Sequence, residues 1–405
     1  MPLFAWVLAV IGAIGAIVTI LWFAWWLLEK RRTKAVDPAI VQQIQEEVHE
    51  LKSGLGQVLE YLDGLPKAPP NIKDPFEEGM ALKKKYKYDE AIKSFRRALA
   101  KEPTGSQKAA LILLVGNCFA EQSKFAEAEG HYKEALATAI EVKDQTGLAT
   151  SYNNIGSIHQ YKGDYDKALE WYQKSLKITD QIGDQAILAV TYNNIGAIYK
   201  SKGEYDKALE WYQKSLKITE QIDDQMVLAA TYNNIGGIYD SKGEYDKALE
   251  WYQKSLKIRE QLGDQARLAT IYNNIGLIYQ SKGDYDKALE WYHKSLKIME
   301  QIGSQAGLAT NYNNIGGIYQ CRGDYDKALQ WYHSSLKIRE QIGDQAGLAN
   351  TFNNIGNIYY SKADYKMALD NAEKALNIFV RIGSKDKAKH IRANIDALKS
   401  RGLKK

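Results

Sequence analysis

The sequence predicts an all-α protein: a solenoid of helix-turn-helix repeats closed by a C-terminal capping helix and preceded by one transmembrane helix. Three observations carry this. A motif recurs with a period of 40 residues through more than half of the 405-residue chain, and fixed self-similarity of that length marks stacked repeats or a propeller. The apolar positions inside each unit fall at helical, not strand, spacing. All 7 prolines lie at or before Pro103, so the remaining chain lacks the residue that removes a helix hydrogen bond and clashes with the preceding turn.

Composition narrows the function. Two cysteines, Cys118 and Cys321, exclude a disulfide-stapled fold and offer no metal-ligand spacing. The net charge of +5 is concentrated at the ends: after Val380 nine basic residues face only Asp386 and Asp396. Repeat interiors mix signs, as in Lys200, Lys202, Glu204, Asp206, Lys207 and Glu210, so no continuous cationic stripe for nucleic acid is present.

Leu3 to Leu28 is a run of 26 residues without a charge. At about 1.5 Å per residue it exceeds the roughly 30 Å hydrocarbon core of a bilayer. Trp6 near one end and Trp22, Trp25 and Trp26 near the other stand where amphipathic rings prefer the interface. A cleaved signal peptide is the alternative, but it calls for a basic leading region, a shorter apolar stretch and a small-residue cleavage site. Lys30, Arg31, Arg32 and Lys34 follow the run directly, which predicts a single-pass membrane protein with its repeats on the cytoplasmic side. Ala9, Gly12, Ala13 and Ala16 give a small-residue spacing on which two such helices pack closely.

Asp37-Pro38 starts a second helix with an N-cap and a first-turn proline. Over residues 37–65, Val41, Ile44, Val48, Leu51, Leu55, Val58, Leu62 and Leu65 alternate spacings of three and four, the seam of a coiled coil. Gly54 and Gly56 weaken it. A helix lying on the membrane or docking on the first repeat accounts for the same pattern, so self-association into a homo-oligomer is one of these readings. Residues 66–75, with Pro66, Pro69, Pro70 and Pro75, form an extended spacer that holds the next domain off the bilayer.

The repeat array follows. Tyr152-Asn-Asn-Ile-Gly156 recurs from Tyr192, Tyr232, Tyr272 and Tyr312 and as Phe352-Asn-Asn-Ile-Gly356. In step with it runs a second block typified by Gly203 to Ile218. Tyr192, Ile195, Gly196 and Tyr199 share one helical face, as do Tyr205, Ala208, Leu209, Tyr212 and Leu216. Ser201-Lys-Gly203 is the short turn between the two helices. Gln181-Ile-Gly-Asp184 is the longer break, with glycine ending one helix and aspartate capping the next. A propeller needs four strands per unit and period-two alternation, which is absent.

Tyr192, Ile195, Gly196, Tyr199, Ala208 and Tyr212 resemble the tetratricopeptide pattern W-x2-L-G-x2-Y…A-x3-F in a lengthened form. Gly79, Leu82, Ala91, Phe95, Ala98 and Pro103 look like a standard-length copy, and Val115, Gly116, Phe119, Ala128, Tyr132 and Ala135 like a divergent one. The resemblance implies a right-handed superhelix of about eight repeats over residues 72–388, with units starting near 72, 109, 149, 189, 229, 269, 309 and 349. A capping helix follows at 386–400 and a basic tail at 401–405. Gly196 and Ala208 are expected to let the paired helices approach. Asn371 and Ala372 replace the Trp-Tyr pair in the last unit, and Ala363 its turn glycine.

Assigning Tyr192, Ile195, Gly196 and Tyr199 to the core leaves Asn193, Asn194, Ala197 and Lys200 on the other side of the first helix. In the long-repeat members of the family, such as kinesin light chain and the Leu-Gly-Asn adaptors, that side lines a groove whose asparagines hold extended peptides. The resemblance thus implies a peptide-binding role for Asn153, Asn154, Asn193, Asn194, Asn233, Asn234, Asn273, Asn274, Asn313, Asn314, Asn353 and Asn354. A carboxamide offers an acceptor and donors to one peptide unit, and asparagine is a mediocre helix former. The competing role is to cap or bridge neighbouring helices.

Selectivity is expected from groove positions that vary between repeats: Ser157, Ala197, Gly237, Leu277, Gly317 and Asn357 after the glycine, and Gln160, Lys200, Asp240, Gln280, Gln320 and Tyr360 one turn on. The cationic clamp of the chaperone-tail-binding members is missing, so a C-terminal carboxylate ligand is not expected. No nucleophile elbow, P-loop or zinc-protease motif occurs, which predicts no enzyme and no cofactor. The two functional readings are a membrane-anchored adaptor that binds an extended protein segment, and a homo-oligomeric membrane platform built through the heptad segment and repeat packing.

Overall fold

A computed structural model describes residues 73–402, which fall within one compact unit spanning 71–405. The apolar run 3–28, the heptad stretch 37–65, residues 66–72 of the spacer and the tail beyond 402 lie outside the described residues. Among the described residues there are 17 helices and no strand, and no helix is long and apolar enough to cross a membrane. The expected architecture is present as eight hairpins, at 73–99, 105–141, 145–182, 185–222, 225–262, 265–301, 305–342 and 345–381, followed by the capping helix Lys385–Gly402.

The hairpin of Gln185–Ser201 and Tyr205–Ile222 shows how sequence makes the unit. Asp184 caps the first helix, its carboxylate accepting from the Ile187 N–H at 3.0 Å, which satisfies one of the donors a helix start leaves orphaned. Gly203, at φ 77°, turns the chain in the left-handed region that a side chain disfavours. Six non-glycine residues among those described adopt the same region without breaking the chain's course, among them Asp223, which ends the second helix at φ 55°, and Ala363, which makes the last hairpin turn at φ 61°.

The core runs between neighbouring hairpins as well as within them. Ala208 and Tyr212 are buried against Ile235 and Ile238 of the next first helix, so no hairpin completes its interior alone. The structure refines the role of the repeated glycine. A Cβ on Gly196 would stand 2.6 Å from the ring of Tyr212, and one on Gly236 or Gly316 would also come within 3.3 Å of the carbonyl of Ala248 or Ala328; the glycine admits a tyrosine ring as well as the close approach of the second helix. Behind it the buried Ser215 hydroxyl donates to the Ala189 carbonyl at 2.9 Å, and Ser175, Ser255 and Ser335 repeat that bond. These bonds pin one helix of each pair to the other where water cannot compete.

Along one edge, ion pairs join successive hairpins: Lys202–Asp166, Lys242–Asp206, Lys282–Asp246, Arg322–Asp286 and Lys362–Asp326, at 2.5–2.8 Å. Their aspartates are 81–90% exposed, so each pair contributes little to stability. The capping helix buries Ala388, Ile391, Ile395 and Leu398 against the last hairpin. Two contacts skip far along the chain: the Ala266 N–H donates to the Tyr86 hydroxyl at 2.9 Å, and Arg267 pairs with Glu121 at 3.3 Å. Curvature of the array therefore brings its first two hairpins onto its sixth.

Candidate peptide-binding groove

Each tandem asparagine stands in the middle of a first helix, with Ile195 and Gly196, or their equivalents, fixing that helix to the core. The structure links these pairs into a ladder. The second asparagine of one repeat donates from Nδ2 to Oδ1 of the first asparagine in the preceding repeat: Asn194 to Asn153 at 3.5 Å, Asn234 to Asn193 at 3.2 Å, Asn274 to Asn233 at 3.1 Å, Asn314 to Asn273 at 2.8 Å and Asn354 to Asn313 at 3.1 Å. At the lower end Asn154 reaches Asn117 at 3.4 Å, an oxygen that also accepts from the Tyr132 hydroxyl at 2.8 Å. Bridging of neighbouring hairpins is thus one use of these side chains.

It does not exhaust them. A rung uses Nδ2 of one asparagine and Oδ1 of the other. Among the described residues, the N–H groups of Asn193, Asn233, Asn273 and Asn313 and the oxygens of Asn194, Asn234, Asn274 and Asn314 make no hydrogen bond within the protein, and all eight side chains are half-buried. Each central repeat therefore keeps one set of donors and one acceptor, the complement of a peptide unit. Asn153 differs: it is 4% exposed, and its Nδ2 donates to Ser175 Oγ at 2.8 Å and Thr191 Oγ1 at 2.7 Å. That asparagine is a structural member, fully engaged inside the array.

The variable positions divide as well. Gln160, Gln280 and Gln320 each accept from the hydroxyl of the core tyrosine in the same hairpin, Tyr172, Tyr292 and Tyr332, at 2.8–2.9 Å. Ser157 lies 3.2 Å from the Tyr172 hydroxyl. Lys200 and Asp240 occupy the glutamine position in the two hairpins between. The substitution leaves the Tyr212 hydroxyl buried with no partner. Lys200 reaches instead over the next hairpin, where a side chain on Gly237 would collide with its Nζ. Burial holds the Lys200 ammonium below its ordinary range, opposed by the nearby Asp240 charge; burial raises the Asp240 carboxyl, opposed by Lys200.

Farther along, a cavity of about 460 Å³ is lined by Leu277, Gln280, Asn313, Asn314, Gln320 and Asn354. With Gly317, seven positions expected at the groove from three successive repeats meet there. Tyr325, Cys321 and Ser361 also line it; Cys321 and Ser361 lie two turns beyond Asn314 and Asn354 on the same helical face, whereas Tyr325 opens the following helix, where periodicity gave no reason to place it beside the asparagines. Asn353, Asn357 and Tyr360 line a separate cavity at the end of the array. Cys118 is buried, its thiol pushed up to about 11 by desolvation, whereas Cys321 is exposed. Among the described residues no group of three or more His, Cys, Asp and Glu is placed to hold a metal ion.

The model of the tetratricopeptide repeat family matches residues 107–181, 147–221, 187–261, 227–301, 267–341 and 307–379. No curated protein matches the sequence. Among solved structures, a Rap protein complexed with competence and sporulation factor is similar at 17% identity and a TM-score of 0.61, over 84% of this chain and 94% of that one. The apo form of RapI is similar at 19% identity and a TM-score of 0.51, over 67% and 99%. A signal transduction ATPase with numerous domains and a tetratricopeptide repeat sensor, from Pyrococcus horikoshii, gives 17% identity and a TM-score of 0.57, over 79% of this chain and 52% of that chain. At such identities the likeness is one of fold.

Proposed function

We propose that this chain, which belongs to the tetratricopeptide-repeat family, holds an extended segment of a partner protein along its asparagine ladder while an N-terminal anchor keeps it at a membrane. Proteins of this family are generally interaction scaffolds, and the fold is typically non-enzymatic. The observation that carries the finer reading is the unused half of the ladder. Bridging alone needs one donor and one acceptor per rung; Asn193 with Asn194, and their central equivalents, retain another donor set and acceptor in half-buried positions. A main chain laid across them satisfies both.

Lys200 supports the same conclusion from energetics. A glutamine there would accept from the Tyr212 hydroxyl, as in three sister repeats, and an unpartnered buried hydroxyl costs about 1–3 kcal/mol. A lysine kept at that cost is explained by selectivity toward the bound segment. The Rap relative is complexed with competence and sporulation factor, which makes a bound factor on this fold a reasonable model. The anchor rests on the 26-residue apolar run and the basic residues after it.

A photo-crosslinking residue at Ala197 or Leu277 should capture a partner protein in native membranes, and one at Glu210 on a second helix should not. Asn193→Ala with Asn233→Ala should weaken capture at least tenfold without changing helix content. Equal capture from both faces, or capture indifferent to the asparagines, defeats the proposal. The platform reading is favoured by the heptad alone, and a full chain that sediments strictly as a monomer removes it.

A further inference from the structure

Seven hairpins fill the space above their repeated glycine with their own aromatic ring. A Cβ on Gly79 would meet Phe95, and one on Gly116, Gly156, Gly196, Gly236, Gly276 or Gly316 would meet the ring of Tyr132, Tyr172, Tyr212, Tyr252, Tyr292 or Tyr332 at 2.6–2.8 Å. The eighth hairpin keeps the glycine and lacks the ring. Around Gly356 the atoms nearest to a Cβ would be the Ala368 carbonyl oxygen at 3.3 Å and the Asn371 Cβ and Ala372 nitrogen at 3.5–3.6 Å, with no ring closer. Ala372 stands where six of the others carry tyrosine and the first carries Phe95.

The space stays open. A cavity of about 290 Å³ lies between the last hairpin and the capping helix, with Gly356, Ala368, Ala372 and Leu398 among its apolar lining. It is far larger than the roughly 30 Å³ share of one water. Three carboxamides, Asn353, Asn357 and Asn394, line it too, and none makes a side-chain hydrogen bond within the protein among the described residues. Asn394 stands 40 residues beyond Asn354, the position from which the next rung to Asn353 would come, yet the ladder ends at Asn354–Asn313. An apolar floor the shape of the array's own tyrosine socket, rimmed by unpartnered amides, is fitted to a ring with a polar end.

We infer that this cavity is a binding site for one tyrosine side chain of the partner, supplied in trans where every other hairpin supplies its own ring. The ring lies on Gly356 against Ala368, Ala372 and Leu398, and its hydroxyl exchanges hydrogen bonds with the amides, as the sister tyrosines do with Gln160, Gln280 and Gln320. The inference deepens the proposed function by naming an anchor residue of the bound segment.

The probe is N-acetyl-tyrosinamide, followed by saturation-transfer NMR on the full chain, with N-acetyl-alaninamide as control. Wild type should give a saturable signal with the tyrosine compound alone. Ala372→Tyr, which rebuilds the sister arrangement, should weaken it at least tenfold while leaving helix content unchanged and raising the melting temperature. Gly356→Ala, whose methyl meets no ring in this hairpin and needs only a few tenths of an ångström from the Ala368 carbonyl, should weaken binding several-fold in a normally folded protein. No saturable binding to wild type, or undiminished binding to either variant, overturns the inference. Asn193→Ala with Asn233→Ala should leave this titration unchanged, so failure of the ladder and failure of the socket read out separately.

Discussion

The fourth and eighth hairpins share one plan and differ in what fills it. In the fourth, Gly196 receives Tyr212, which is wholly buried against the next first helix; in the eighth, Gly356 faces a cavity and Ala372. The contrast extends outward. The edge ion pairs run from Lys202–Asp166 to Lys362–Asp326, and the next step would join residues 402 and 366, which are glycine and lysine. Interior repeats are held by registered contacts to both neighbours, whereas the terminal one is closed by a basic helix that offers it one apolar face and leaves two such registers empty. A glycine is thus read by what stands on it, not by its presence.

Substitutions that exchange the two environments test this, beginning with the largest effect. Tyr212→Ala should destabilise the array by about 3–5 kcal/mol, the range for deleting a buried aromatic side chain, in equilibrium denaturation of the full chain; a loss below about 1 kcal/mol would mean the interior socket is not filled as described. Gly196→Ala should cost about 1–3 kcal/mol by overpacking, while Gly356→Ala should be neutral or stabilising by up to about 1 kcal/mol from helix propensity. Equal effects at the two glycines would erase the comparison.

Lys200→Gln should stabilise by about 1 kcal/mol by giving the Tyr212 hydroxyl an acceptor, and should reduce partner capture; a stability gain with capture intact would assign Lys200 no selectivity role. Ala363→Gly, at φ 61°, should stabilise by about 1 kcal/mol through relief of the left-handed strain, visible as slower amide exchange in the last hairpin. The smallest effect lies near the other end. Lys133 and Lys162 hold Glu129 down to about 2 from its ordinary 4.5. Its folded value is depressed, so its contribution is complete above 4.5 and is lost as pH falls from there toward about 2. Because both lysines are 44–61% exposed, the loss should be on the order of 1 kcal/mol, absent in Glu129→Gln.

Much of the fold was legible because helix pairs and their punctuation are local. Asp184 and Gly203 announce a cap and a turn within a few residues, and spacing alone puts Ile195 inward. The asparagines were legible as a stripe but not as a ladder, since the bond from Asn234 to Asn193 spans 41 residues and depends on how far each hairpin steps past the last. Asn371 and Ala372 marked the last repeat as different without disclosing the cavity, which needs the capping helix in place. The partnership of Tyr86 with Ala266 was illegible for the same reason at larger scale: it follows from accumulated curvature over five hairpins.

That partnership changes how the molecule behaves under load. A stack joined only through adjacent units peels apart from either end, one layer after another. Here the hydroxyl of Tyr86 and the Glu121–Arg267 pair clasp units separated by 180 and 146 residues, turning the intervening hairpins into a loop. Tension applied through the N-terminal side must first release this clasp before the third to fifth units can extend, so a pulling experiment should register a distinct early event that Tyr86→Phe weakens and Tyr86→Phe with Glu121→Gln removes.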